Sequence, residues 1–196
     1  SFVHRLAIEL VNPNESEAIV ADRAGRKAWL EARDYRVIEM RVVEVERDLE
    51  QPSGFEGVLR PYQRRGLAWM VHLEQASLGG LLADDMGLGK TAQVIALVLN
   101  RVEAGADWAA TLIVCPASVL PNWERELGRF GPSLTVVRHH GSGRARKTET
   151  LARQNRPGTV VLTTFATLRS SQKLLSSVTW ERVVVDEAQN IKNPTA

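Results

Sequence analysis

The chain has 196 residues, 44% hydrophobic and 24% charged, which suits one good-sized folded core with or without a small appendage and speaks against a disordered segment. No apolar run approaches the roughly 18 residues that span a membrane, Ser1-Phe2-Val3-His4-Arg5 does not begin a signal peptide, and a lone Cys115 with four scattered histidines excludes an internal disulfide and argues against a zinc site. The net charge of +2 hides an asymmetry: residues 1–50 carry 8 Lys and Arg against 11 Asp and Glu, the remainder 17 against 12, so a polyanion is expected to meet the larger part.

Residues 2–11 are rich in apolar side chains and end at the turn signal Asn12-Pro13-Asn14. Residues 21–33 have helical character, and residues 35–45 contain the β-branched positions Val37, Ile38, Val42, Val43 and Val45, so the first fifty residues predict a small β-α-β piece. Through Ala7-Ile8-Glu9-Leu10, Asp22-Arg23 and Trp29-Leu30 followed by Tyr35-Arg36-Val37-Ile38, this piece resembles the C-terminal part of endonuclease domains of the very-short-patch-repair type. On the residues alone it reads as a structural appendage without chemistry, because Glu9 by itself cannot build a metal site. Gln51-Pro52-Ser53-Gly54 marks the boundary, giving an expected appendage at 1–50, a linker at 51–58 and a main domain at 59–196.

The main domain opens on Leu59-Arg60-Pro61-Tyr62-Gln63, with Pro61 suited to a first helical turn and Leu67, Met70, Val71 and Leu73 on one face of the helix. The planar amide of Gln63 can both donate to and accept from one edge of adenine. Helical periodicity alone makes it a surface glutamine.

Next comes Asp84-Asp85-Met86-Gly87-Leu88-Gly89-Lys90-Thr91, between the apolar run Leu81-Leu82-Ala83 and the helical pattern of Val94, Ile95, Leu97 and Val98. This order reads as strand, phosphate loop and helix. Gly87 and Gly89 allow a tight turn that brings backbone N–H groups, with that of Leu88 among them, toward phosphate oxygens at the positive end of the helix. Lys90 is placed to reach the β- and γ-phosphates of ATP, and Thr91 to hold magnesium. The general pattern asks for glycine where Asp84 stands, so a strict search for a Walker A loop would miss it, although strand, glycines, Lys-Thr and helix occur together.

Beyond the loop, short apolar runs alternate with helical stretches: strands at 111–115, 134–138, 159–163 and 182–186, and helices within 116–130, across the basic segment 141–155, and at 165–175. Parallel strands linked by crossover helices follow, hence a doubly wound α/β sheet with helices on both faces. Ligands of such sheets bind beyond the carboxyl ends of the strands. The basic run Arg138, Arg144, Arg146, Lys147, Arg153 and Arg156 reads first as a solvated helix face, with electrostatic attraction for a polyanion as the alternative.

Asp186 and Glu187 follow the apolar strand Val183-Val184-Val185, where unpaired carboxylates are costly unless a cation or water-filled site receives them. In a phosphate-loop ATPase the first holds magnesium and the second orients or deprotonates the attacking water.

Taken together, these blocks resemble the Swi/Snf family of superfamily-two helicase-like ATPases, in particular the first RecA-like lobe of the bacterial members, over about residues 55–196. Leu59 to Gln63 with Gly66 and Trp69 looks like the family's adenine-recognising motif, which implies nucleotide contacts for Arg60 and Gln63. Residues 84–91 look like its first motif, residues 112–123 its next, and His140-Gly141 and Thr163-Thr164-Phe165 the following DNA-side motifs. Asp186-Glu187-Ala188-Gln189 looks like its DEAQ box. The resemblance implies a RecA-like lobe that binds ATP and magnesium and moves along duplex DNA, with Ser118, Trp123, Thr163 and Thr164 near the DNA backbone. It also implies a second RecA-like lobe downstream of Ala196, with an arginine finger, and a cytoplasmic setting, nucleoid-associated if the source is bacterial. Two other readings stay open: a nucleotide- or partner-binding module without turnover, and a lobe of an RNA helicase.

Overall fold

The computed structural model describes residues 5–11, 28, 35–41, 49–82, 87–105 and 108–188. Its contacts divide the chain into two units, Ser1–Leu49 with Ala68–Gly80, and Glu50–Leu67 with Leu81–Ala196. In the first unit β1 (Arg5–Val11) pairs in parallel with β2 (Tyr35–Arg41), in a register running from Arg5 opposite Tyr35 to Val11 opposite Arg41. A parallel pair needs a crossover connection rather than a hairpin. Ala28 is helical; the rest of the helix expected over 21–33 lies outside the described residues.

The second unit is built on a four-stranded sheet in the order β4-β5-β3-β6, every pair parallel: β3 (Thr111–Cys115), β4 (Thr135–Arg138), β5 (Thr159–Thr164) and β6 (Arg182–Val185). The central strands β3 and β5 are buried at every position, which is why their sequences are nearly continuous apolar runs. Leu112, Val114 and Val161 share one face and form a core with Ala145, Leu151 and Leu175. Helices α4 (Thr148–Gln154), α5 (Phe165–Ser170) and α6 (Gln172–Leu175) supply that face. By the period-two alternation of strands, Ile113, Val160 and Leu162 point to the other side. There α3 (Leu120–Phe130) meets β5 and α2 (Lys90–Glu103) meets α3. Helix α2 places Ala92, Ile95, Ala96 and Leu99 on one buried stripe, and each large aliphatic side chain so buried contributes about 1.5–3 kcal/mol. The fold class is therefore the RecA-like α/β arrangement expected from the sequence.

Helix α1 (Pro61–Gln75) starts at Pro61 as its sequence requires. The segment before it is packed: Glu103, near the end of α2, accepts hydrogen bonds from Gly54 N (2.7 Å), Ser53 Oγ (2.9 Å) and Ser53 N (3.1 Å), and Phe55 stacks on Phe130 with ring centroids 5.3 Å apart. Burial pushes the Glu103 carboxyl up, but those hydrogen bonds outweigh it and hold the group below its ordinary range.

Three expectations are corrected. Leu81 and Leu82 are not in a strand, and Leu81 is 74% exposed. A strand needs a ladder partner, and among the described residues the other edge of β6, which pairs only with β3, takes up no ladder with this run. The basic segment 141–155 is helical only over Thr148–Gln154, because Gly141 adopts a left-handed φ of 72° and the chain turns through Gly143 and Arg144. The helix expected at 165–175 is interrupted at Ser171. There the Ser170 hydroxyl bonds back to the Thr167 carbonyl at 3.1 Å, competing with the helical ladder. No helix among the described residues is long and apolar enough to cross a membrane.

Candidate nucleotide site

Gly87 and Gly89 have φ of 83° and 73°, the left-handed region where an L side chain is strained. At Gly89 a Cβ would also run into the Gln63 amide nitrogen. Gly89 delivers the chain into α2, and the leading backbone N–H groups there carry the positive end of the helix. Lys90 and Thr91 are the first two residues of that turn and are half-buried. Asp84, Asp85 and Met86 lie outside the described residues.

The loop is held from the side by α1. Gln63 is only 8% exposed, so it is not the surface residue that periodicity alone suggests. Its Nε2 donates to the Leu88 carbonyl at 3.1 Å and its Oε1 accepts from Arg60 N at 2.9 Å. Tyr62 adds a second donor to the same carbonyl, at 3.0 Å. One amide hydrogen and one lone pair of Gln63 remain for a base edge. The Arg60 side chain is exposed. Gly66 is required by packing, since a Cβ there would overlap the buried Gln93 carbonyl group.

Just past β6, the N–H of Asp186 donates to the Val114 carbonyl at 2.9 Å, extending the β3–β6 ladder by one residue. Both carboxylate oxygens of Asp186 are engaged: Oδ1 accepts from Glu187 N and Oδ2 from the indole Nε1 of Trp123, each at 2.9 Å. Glu187 has a φ of 54°, a left-handed conformation uncommon for a side-chain-bearing residue and characteristic of functional turns. Burial first, then the negative charge of Asp186, push the Cys115 thiol up to about 11, so it stays protonated and inert at neutral pH. The Thr91 hydroxyl and the Asp186 carboxylate are hard oxygen donors, and they fit magnesium, which is commonly bound by one or two protein oxygens together with phosphates and water.

The expected DNA-side residues behave differently from one another. Ser118 is exposed just ahead of α3. Trp123 is 2% exposed with its indole N–H spent on Asp186, Thr163 is fully buried with its hydroxyl donating to the His139 carbonyl at 3.0 Å, and Thr164 is 2% exposed. The Thr164 hydroxyl caps α5, accepting from Thr167 N at 3.2 Å. These three side chains are thus turned inward, because a buried hydroxyl or indole must find a partner inside the protein. The sequence held a signal for the Trp123–Asp186 bond: the indole is a donor only, and a tryptophan on the apolar face of a helix needs an acceptor. One feature was not legible at all. The turn after β4 and the α5–α6 junction enclose an open cavity of about 450 Å³ whose lining, among the described residues, includes Arg144, Arg146, Arg169 and Lys173 and no acidic residue.

A parallel α/β sheet, a glycine loop entering a helix and an Asp-Glu pair at a strand end are the arrangement of a RecA-like lobe. The family model of the SNF2-related domain matches residues 62–196, and the chain belongs to that family. It is 47% identical over 139 residues to YwqA of Bacillus subtilis (strain 168), which bears the name ATP-dependent helicase/translocase, covering 71% of this chain and 15% of that protein. It is 38% identical over 156 residues to the chromatin-remodeling ATPase INO80 of Homo sapiens, covering 76% of this chain and 10% of the relative. Among solved structures, the Sulfolobus solfataricus SWI2/SNF2 ATPase core in complex with dsDNA matches with a TM-score of 0.65 and 40% identity, over 76% of this chain and 30% of that one. The chain therefore spans only a small fraction of the curated relatives it matches.

Proposed function

We propose that this chain is the ATP-binding lobe of a motor that uses ATP hydrolysis to move along duplex DNA, working in the cytoplasm with a second RecA-like lobe. The observation that carries the nucleotide reading is the left-handed Gly89 feeding a helix whose first residues are Lys90 and Thr91. The backbone N–H groups of Leu88 to Thr91 cradle phosphate oxygens, Lys90 neutralises the β- and γ-phosphate charge, and Gln63, with Arg60 beside it, reads the adenine edge. Thr91 and Asp186 hold the magnesium that accompanies ATP. When bound, that ion offsets charge building on the transferred phosphoryl group. Glu187 orients the attacking water and accepts its proton.

The DNA reading draws support from family membership and from the carboxyl edge of the sheet. Exposed Ser118 follows β3 there, and the four cations of the cavity follow β4 and β5. Such contacts bind phosphates without reading sequence. Calorimetry of ATP with magnesium tests the nucleotide site. Lys90→Ala removes a charge-assisted contact worth about 1.5–3 kcal/mol, so affinity should fall roughly 10- to 100-fold; an unchanged affinity would remove Lys90 from the site.

A further inference from the structure

The link between Trp123 and Asp186 joins two parts of the lobe that the proposed function uses separately. Trp123 lies one helical turn into α3, five residues after the exposed Ser118, and its side chain is 2% exposed. The indole N–H reaches Asp186 Oδ2 at 2.9 Å, while the backbone N–H of Glu187 occupies Oδ1 at 2.9 Å. A carboxylate with one donor on each oxygen cannot rotate freely, and each oxygen keeps a lone pair for a cation or its water.

We infer that Trp123 is a positioning residue for the metal carboxylate: its indole N–H fixes the rotamer of Asp186 so that magnesium meets a preformed ligand, and it ties that ligand to the helix entered at Ser118. This inference rests on the proposed nucleotide site. Removing a hydrogen-bond partner behind a metal ligand typically lowers metal affinity about 10- to 100-fold. Displacement of α3 at its Ser118 end would act on Asp186 through the same bond, giving the DNA side a mechanical connection to the magnesium site.

Two measurements on this chain test it. In the wild-type protein without ligand, the Trp123 indole N–H should exchange slowly with solvent by NMR, far more slowly than that of Trp108, which is 59% exposed. Asp186→Ala should release it. Fast exchange of Trp123 in the wild type would overturn the inference without touching the nucleotide site. Trp123→Phe keeps an aromatic ring and removes only the donor. It should raise the magnesium concentration needed for half-maximal tightening of ATP binding about tenfold, with ATP affinity in chelator unchanged. A magnesium dependence equal to wild type would overturn the inference and leave the proposed function standing. A wild-type chain that binds no ATP at any magnesium concentration would overturn the proposed function and this inference with it. If Trp123→Phe does not fold, the indole exchange measurement on the wild-type chain decides alone.

Discussion

The Gln63 amide occupies two places at once, bonded to the Leu88 carbonyl and to Arg60 N while keeping one donor and one acceptor unspent. Truncation to Gln63→Ala should therefore have two readouts. Loss of two partly buried hydrogen bonds, each worth roughly 1 kcal/mol net, lowers stability by about 1–3 kcal/mol in urea unfolding. The preference for ATP over GTP should fall as well. Unfolding unaffected by the substitution would mean the amide does not brace the loop, and an unaltered nucleotide ratio would mean it does not read the base. His139 offers a pH-dependent counterpart. It is fully buried, neither ring nitrogen has a hydrogen-bond partner among the described residues, and burial, followed by the Arg144 charge, lowers its pKa from 6.5. Below that value the unfolded chain takes up the proton first. His139 thus contributes fully above about pH 6.5, and the contribution is lost as the pH falls toward its depressed folded value, by at most about 1.4 kcal/mol per pH unit. His139→Leu should leave stability near pH 7 within about 1 kcal/mol of wild type and flatten the decline between about pH 6.5 and 5. Identical pH slopes for the two proteins in urea titrations would contradict this.

Among the elements, the start of β3 depends on a side chain from the loop after α4. Asn155 Oδ1 accepts from the N–H of Ala110 and its Nδ2 donates to the Thr179 carbonyl, both at 2.7 Å, so one amide joins the entry of β3 to the approach of β6. Ala110 is fully buried, and Asn155→Ala would strand its N–H there. The expected loss is about 1–3 kcal/mol by chemical denaturation; a loss below about 0.5 kcal/mol would mean that water or a shifted backbone replaces the amide. Strands and helices in this lobe were largely legible because the physics that forms them is local: the apolar runs at 111–115 and 159–163 and the helical face of α2 carry their own periodicity. Residues 81–82 failed for the opposite reason, since an apolar run becomes a strand only with a ladder partner elsewhere in the chain. The divided helix at 165–175 turned on Ser170 back-bonding, a competition that periodicity does not register.

At the scale of the whole molecule, the candidate nucleotide residues stand out in the sequence because the loop glycines, Lys90, Thr91 and the Asp186-Glu187 pair are close in sequence within each block. The inward turn of Thr163 and the particular acceptor that Trp123 finds did not stand out, since they depend on partners 24 and 63 residues away, His139 and Asp186. Arg182 is the arginine nearest in sequence before the carboxylates. It stands at the entry of β6, roughly 13 Å upstream at about 3.3 Å per residue, and its guanidinium is turned to Thr111 Oγ1 at 2.8 Å and Glu181 at 3.6 Å. An arginine at the γ-phosphate is typically worth about 10³ to 10⁵ in rate. The chain alone should accordingly bind ATP and release phosphate far more slowly than a longer protein carrying the second lobe. The measurement that tests the central claim most directly is ATP hydrolysis by that longer protein without nucleic acid, with duplex DNA and with single-stranded RNA. The account predicts stimulation by duplex DNA, independent of its sequence and abolished by Glu187→Gln while ATP stays bound. Hydrolysis indifferent to duplex DNA, or stimulated by single-stranded RNA instead, would contradict it.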